Sequence, residues 1–178
     1  SNNNDDRAEV DLQITGYSNG QIEVSMTNTE AVAGLQFDLD AGNGLSNLNV
    51  TGASGGSAAG AGFTLSTNTN GLVLGFSFSG STIPAGSSVL CNVAASFSGD
   101  AGTLSISSGT MSDAGGSSLT VDLGTDYWVG DMEIYGCMDP ASSNYDPSAT
   151  CSDPFDCGWL HGCLDPVAFN YNSGVDFD

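Results

Sequence analysis

Val10-Asp11-Leu12-Gln13-Ile14 and Ile22-Glu23-Val24-Ser25-Met26 flank a turn at Ser18-Asn19-Gly20. In each arm apolar and polar side chains alternate, and a period of two puts one set on each face of a strand. Asn and Gly tolerate the positive φ that a tight hairpin needs, so the stretch reads as two antiparallel strands. The pattern recurs downstream. Leu35, Phe37 and Leu39 alternate with Gln36, Asp38 and Asp40, and Leu48 and Val50 mark a weaker strand. Gly52 to Gly62 reads as a loop rich in Gly, Ala and Ser, after which Phe63 and Leu65 begin another strand, turned by Asn68-Thr69-Asn70-Gly71. Leu72, Leu74, Phe76 and Phe78 alternate strictly. Val89, Cys91 and Val93 follow the turn at Pro84-Ala85-Gly86. Leu104 and Ile106 make a strand, Leu119, Val121 and Leu123 another, and Tyr127 to Val129 a last one. The sum is roughly eight to ten strands with a turn about every ten residues, the signature of an all-β antiparallel sandwich or barrel. About 125 residues are enough for one core between two sheets.

Charge narrows the function. The 178 residues hold one Lys or Arg (Arg7) against 21 Asp plus Glu, a net charge of −20. Phosphate binding needs cations, so nucleic acid is excluded as a partner, and anionic membrane surfaces are disfavoured. No apolar run approaches the roughly 18 residues of a membrane span, so no membrane insertion is expected. Charged residues make up only 12% of the chain, which leaves the polar surface to Ser, Thr, Asn and 25 Gly. That composition suits an extracellular β protein with many tight turns.

The end of the chain is different. Gly136-Cys137-Met138-Asp139-Pro140-Ala141-Ser142-Ser143-Asn144-Tyr145 returns as Gly162-Cys163-Leu164-Asp165-Pro166-Val167-Ala168-Phe169-Asn170-Tyr171. Alternation ceases here, and Pro140, Pro147, Pro154 and Pro166 break regular structure. The expected organisation is a disordered or linker N-terminus over residues 1–8, a sandwich over 9–131, one Cys/Asp repeat over 136–161 and a second, truncated one over 162–178. Four of the five cysteines (Cys137, Cys151, Cys157 and Cys163) fall in this apolar-poor tail, where disulfides in an oxidising, extracellular setting supply the hold a core would. Zinc fits poorly, because Cys151 and Cys157 lack knuckle spacing and His161 has no second histidine. The odd count leaves Cys163 to pair beyond Asp178. Asp139, Asn144, Asp146, Asp153, Asp156, Asp165 and Asn170 offer hard oxygen ligands on tight turns, a pattern that suits Ca²⁺ without matching an EF-hand. Turn capping by the same side chains is the plainer use of them. A second acidic set, Asp38 and Asp40 with Asp122 and Asp126, could hold calcium only if the fold brought it together.

The segment Asn28-Thr29-Glu30-Ala31-Val32-Ala33-Gly34-Leu35-Gln36-Phe37-Asp38-Leu39 resembles the early strands of cohesin-type, carbohydrate-binding-like modules. Leu74-Gly75-Phe76-Ser77-Phe78-Ser79-Gly80 with Ile83-Pro84-Ala85-Gly86-Ser87 resembles a later pair of the same family. The resemblance covers roughly Glu9 to Asp131. It implies a nine-stranded jelly-roll sandwich, and a partner bound through one sheet face that the sequence does not locate. The tail resembles Gly-Cys-x-Asp-Pro-x-x-x-Asn-Tyr repeats of secreted marine bacterial proteins and of cyanophage virion proteins. That resemblance implies a Cys137–Cys157 disulfide, closing a loop of about 20 residues worth roughly 3 kcal/mol. Cys151 is left either to reach Cys91 or to stay free.

Catalysis has little to stand on. His161 has no nucleophile beside it in the sequence, and Asp38 with Asp40 on a strand face reads as solvated acid rather than a glycosidase pair. Trp128, Trp159, Tyr127 and Tyr135 could stack on sugars, but closing a small core is the plainer role. The expectation is a non-catalytic structural or interaction module of a larger extracellular assembly, either a virion decoration or fibre protein or a bacterial surface protein. It would have protein partners and could be a homo-oligomer. The alternative is a carbohydrate- or dockerin-binding module attached to a secreted enzyme, which aromatics aligned on one exposed sheet face would favour.

Overall fold

The opening hairpin forms where the sequence puts it. In a computed structural model, β1 (Val10–Ser18) and β2 (Gln21–Asn28) pair antiparallel around Asn19 and Gly20, at φ of 51° and 73°. The structure describes residues 9–130, 137, 139–142 and 145–149, and the backbone of 135–136 and 151–152. The chain divides into two compact units, Ser1–Gly130 and Asp131–Asp178.

The first unit is an all-β sandwich. After β2 come β3 (Gly34–Gly42), β4 (Ser46–Ser54), α1 (Gly56–Gly60), β5 (Thr64–Thr67) and β6 (Leu72–Phe76). Then follow β7 (Gly86–Ser98), β8 (Gly102–Ser112), β9 (Ser118–Leu119), β10 (Val121–Leu123) and β11 (Tyr127–Val129). One sheet runs β10-β1-β2-β7-β4, and the other runs β11-β8-β3-β6-β5 with β9 also on β8. Between them lie the alternating residues of both inner faces. Val10, Leu12, Ile22, Val24, Phe37, Val73, Leu90, Val93, Leu104 and Met111 are wholly buried. Burial of that apolar surface, at roughly 25 cal/mol per Å², is the dominant stabilising term.

Eleven strands stand where the cohesin resemblance implies nine. One of the two extra strands arises because the stretch read as a single strand, Leu119 to Leu123, changes sheets at Thr120. Met111 pairs with Leu119 on one side, and Val10 pairs with Val121, in parallel, on the other. The expected loop over Gly52 to Gly62 instead continues β4 to Ser54 and then makes the single turn α1. Gly56 sits there at φ 62°, so close to the Leu90 carbonyl that a Cβ would lie 2.3 Å from its oxygen.

The parallel pair places Asp11 directly beside Asp122, both exposed. Arg7 and His161 lie outside the described residues, so the described part carries no cationic side chain to relieve them. Adjacent like charges on neighbouring strands are destabilising. Asp122→Asn therefore raises stability by about 0.2–1 kcal/mol in a urea titration, and the gain shrinks in high salt as the repulsion it removes is screened.

In the second unit, β12 (Tyr135–Gly136) and β13 (Cys151–Ser152) pair in parallel, and Cys137 bridges to Tyr145. Turns close at Asp139–Ser142 and Asp146–Ala149 through backbone bonds of 3.0 and 3.1 Å.

Candidate functional site

Leu72, Leu74 and Phe76 alternate as a core strand would, yet they form a column on the outer face of the six-stranded sheet. The inward positions of β6 are Val73, wholly buried, and Gly75. A Cβ on Gly75 would meet Leu65 Cδ2 at 2.7 Å and Leu35 Cδ1 at 2.9 Å, so the core has no room for a side chain at that point. Phe76 and Leu74 are each 37% exposed, and Phe78, just past the strand end, is 83% exposed. The two phenyl rings meet edge-on with centroids 4.8 Å apart. The turn after β6 holds Phe78 out: Ser77, Ser79 and Ser81 share hydroxyl hydrogen bonds of 2.9 Å, and the Ser81 amide donates to Ser77 Oγ at 3.3 Å.

Around the column the sheet is rich in hydroxyls. Reading across the register, Phe76 lies between Thr64 and Gly34, and Leu74 between Ser66 and Gln36. Gly34 and Gln36 are flanked in turn by Ser112 and Thr110. Bare backbone at Gly34 leaves a shallow open groove of about 220 Å³ between Phe76 and Ser112. A Cβ there would sit 2.8 Å from Ser112 Oγ. Further along β3 the same face carries Asp38, whose Oδ2 accepts from Ser108 at 2.6 Å, and Asp40, whose Oδ1 accepts from the Ala41 amide. Trp128, 40% exposed on β11, is paired with Thr103 towards the other end of the sheet. An apolar centre within a polar rim is the anatomy of a protein interface, and aromatic anchors carry most of the energy in such sites.

Of the residues singled out in the sequence as ligands or sugar-stacking groups, Asp38, Asp40, Tyr127 and Trp128 lie on this sheet. No group of three or more His, Cys, Asp or Glu side chains able to hold a metal exists among the described residues. The set Asp38, Asp40, Asp122 and Asp126 is therefore not a calcium cage. Asp38 and Asp40 lie on one sheet and Asp122 on the other, across the core. Of the tail ligands, Asp139 accepts from the Ala141 amide at 2.9 Å, and Asp146 accepts from the Ser148 amide at 2.8 Å and from its hydroxyl at 2.5 Å. Both cap turns. The Ser148 hydroxyl, then its amide, hold the Asp146 carboxyl below its usual range. Asn144, Asp153, Asp156, Asp165, Asn170, Trp159, Cys157 and Cys163 lie outside the described residues. Cys137 is buried and disulfide-bonded. A bond between Cys91 and Cys151 is not made, because Cys91 is a free thiol on β7, wholly buried in the sandwich core. Tyr127 packs against the core, as closure of a small core requires. Among the described residues no helix is long and apolar enough to cross a membrane.

The sandwich is a mostly antiparallel two-sheet β module with an exposed apolar column on the outer face of one sheet. The solved structures it is similar to include cohesin modules, the family that Asn28 to Leu39 resembles. One is a non-cellulosomal cohesin from the hyperthermophilic archaeon Archaeoglobus fulgidus (20% identity, 64% of this chain and 85% of that one, TM-score 0.47). Another is from a type I cohesin–dockerin complex of Clostridium thermocellum (10% identity, 65% and 88%, TM-score 0.48). A third is a type II cohesin domain from the cellulosome of Acetivibrio cellulolyticus (9% identity, 68% and 94%, TM-score 0.46). No protein-family model and no curated protein matches the chain.

Proposed function

We propose that the chain is a non-catalytic interaction module of a larger extracellular assembly, and that its sandwich receives a protein partner on the outer face of the six-stranded sheet. The observation that carries this reading is the column of Leu74, Phe76 and Phe78, set in a hydroxyl-lined sheet and left open to solvent. The partner presents an apolar ridge flanked by Lys or Arg. Its ridge fills the groove beside Gly34, and its cations face Asp38 and Asp40, which have no cationic neighbour among the described residues. An extracellular address is supported by the disulfide at Cys137, since such bonds persist in oxidising compartments. The tail's resemblance to marine bacterial and cyanophage repeats supports a virion or a bacterial surface as the setting.

A direct test uses the full chain as bait against proteins of a virion or cell-surface preparation, followed by binding measurements with the purified captured protein. A dockerin module is an obvious second probe, given the sequence resemblance to cohesins. Phe76→Ser and Phe78→Ser are expected to weaken binding by about thirtyfold or more, the loss typical of an interface hot spot. Added salt is expected to slow association. Binding that ignores both substitutions would overturn the reading. Binding to a glycan that is lost on Trp128→Ala would replace it with the carbohydrate alternative.

A further inference from the structure

The sequence contains one Asn-x-Ser/Thr triplet, Asn49-Val50-Thr51, and its middle residue is not proline. Such a triplet is the acceptor for N-linked glycosylation in exported chains. It falls on β4, the edge strand of the five-stranded sheet. Leu48 and Val50 pack into the core, so Asn49 between them faces outward, in register with the exposed Ser96 of β7. The register shifts between Ser46 and Asn49 and again between Val50 and Gly52, which bends the strand away from a regular ladder. Thr51 is exposed, and a Cβ on Gly52 would meet nothing within 4 Å, so the surface beside the triplet is open. Asn28, Asn43, Asn47 and Asn68 use their side chains in hydrogen bonds. The Asn49 side chain has no hydrogen-bond partner among the described residues.

The surroundings of the triplet are uncharged. From Ala41 to Gly99 the chain holds no Asp, Glu, Lys, Arg or His, although Asp40 and Asp100 border the run. That run builds β4, α1, β5, β6 and β7, so β7-β4 in one sheet and β6-β5 in the other carry no charge of their own. Elsewhere the acids keep neighbouring molecules apart, and charged side chains are a common guard on edge strands. β4 has bulges but no such charge. A bulky, hydrated oligosaccharide on its outer face supplies the missing barrier. Asn49 lies on the five-stranded sheet, whereas Leu74 and Phe76 lie on the outer face of the other, so the glycan leaves that column uncovered.

We propose that Asn49 is an N-glycosylation site and that its glycan shields the uncharged side of the sandwich. Transfer joins Asn49 Nδ2 to C1 of a lipid-linked oligosaccharide. The C1–O bond to the lipid phosphate breaks, and Nδ2 gives up one proton. Transfer precedes folding, because in the folded chain Thr51 Oγ1 is committed to the Ala94 carbonyl at 3.3 Å and Asn49 is paired with β7. The proposal rests on the extracellular address, and the experiment separates the two. Protein from its native source is digested without reduction, and the peptides holding Asn49 and Cys137 are weighed. The expected result is an oligosaccharide mass on the first and an oxidised cysteine in the second. A bare Asn49 beside an oxidised Cys137 overturns the glycan alone, and a bare Asn49 with a reduced Cys137 overturns the address as well. The full chain is also secreted from a host that carries out N-glycosylation. Wild type and Thr51→Ser gain the oligosaccharide there, and Asn49→Gln and Thr51→Ala do not. A wild-type chain secreted without it overturns the site. In sedimentation velocity the Asn49→Gln protein self-associates at concentrations where the glycosylated protein is a monomer. Identical sedimentation of the two overturns the shielding role.

Discussion

Phe37→Ala lowers the stability of the sandwich by about 3–5 kcal/mol, the range for deleting a buried phenyl ring. Phe37 lies mid-way along β3, wholly buried, in register with Val73 on one side and Gly109 on the other. Neither neighbour can swing into the space. Val73 is short and branched, and Gly109 has no side chain, with Leu12 Cδ1 already only 3.4 Å from where its Cβ would be. The cavity therefore persists, and the cost lies toward the upper end of the range. For a domain of this size the melting temperature falls by roughly 10–20 °C. Phe37→Leu, which refills most of the volume, is expected to cost less than about 1.5 kcal/mol. Urea melts of the three proteins check the order. A Phe37→Ala protein that unfolds at the wild-type midpoint would mean that the two inner faces do not form one core.

The strands were legible for a simple reason. Period-two alternation and turn chemistry are local signals, and at Val10 to Met26 they agree: polar residues face out, and Asn19-Gly20 can adopt the φ the hairpin demands. Alternation says which side chains share a face, but not which face meets the core. Leu72, Leu74 and Phe76 illustrate this. Their alternation is as regular as that of Leu35, Phe37 and Leu39, yet they point the other way. A signal was available in the residues between them. Gly75 leaves space for Leu35 and Leu65 to pass beneath, and a glycine at an inward position marks close approach. The sheet switch at Thr120 had no such signal, because Leu119, Val121 and Leu123 look like one strand whichever sheet each joins. The parallel partner of β1 is likewise non-local, set by residues more than a hundred positions away. The acidic residues were legible as a class but not as a site. Asp139 and Asp146 follow the local rule that Asp caps its own turn, and the carboxylates of the sandwich are spread over both sheets.

The free thiol in the core makes stability depend on alkaline pH, with a sign fixed by its burial. Cys91 alternates with Val89 and Val93 in the sequence and behaves as a small hydrophobe, wholly buried on β7. Burial pushes its pKa from 9.0 up to about 12. The protonated thiol is neutral, so the folded chain keeps its proton over a range in which the unfolded chain has released it. The resulting stabilisation is intact below pH 9. Above that it declines by about 1.4 kcal/mol per pH unit, to a total loss of roughly 4 kcal/mol by pH 12. Every other titratable group is identical in Cys91→Ala, so the difference between the two pH profiles isolates the thiol. Reactivity follows the same logic, because the thiolate is the nucleophile. At pH 8 the folded thiol should react with iodoacetamide at least about a thousandfold more slowly than the urea-unfolded one, from ionisation alone. Ready labelling of Cys91 in the native protein, together with parallel alkaline profiles for wild type and Cys91→Ala, would show that β7 does not hold this side chain between the sheets.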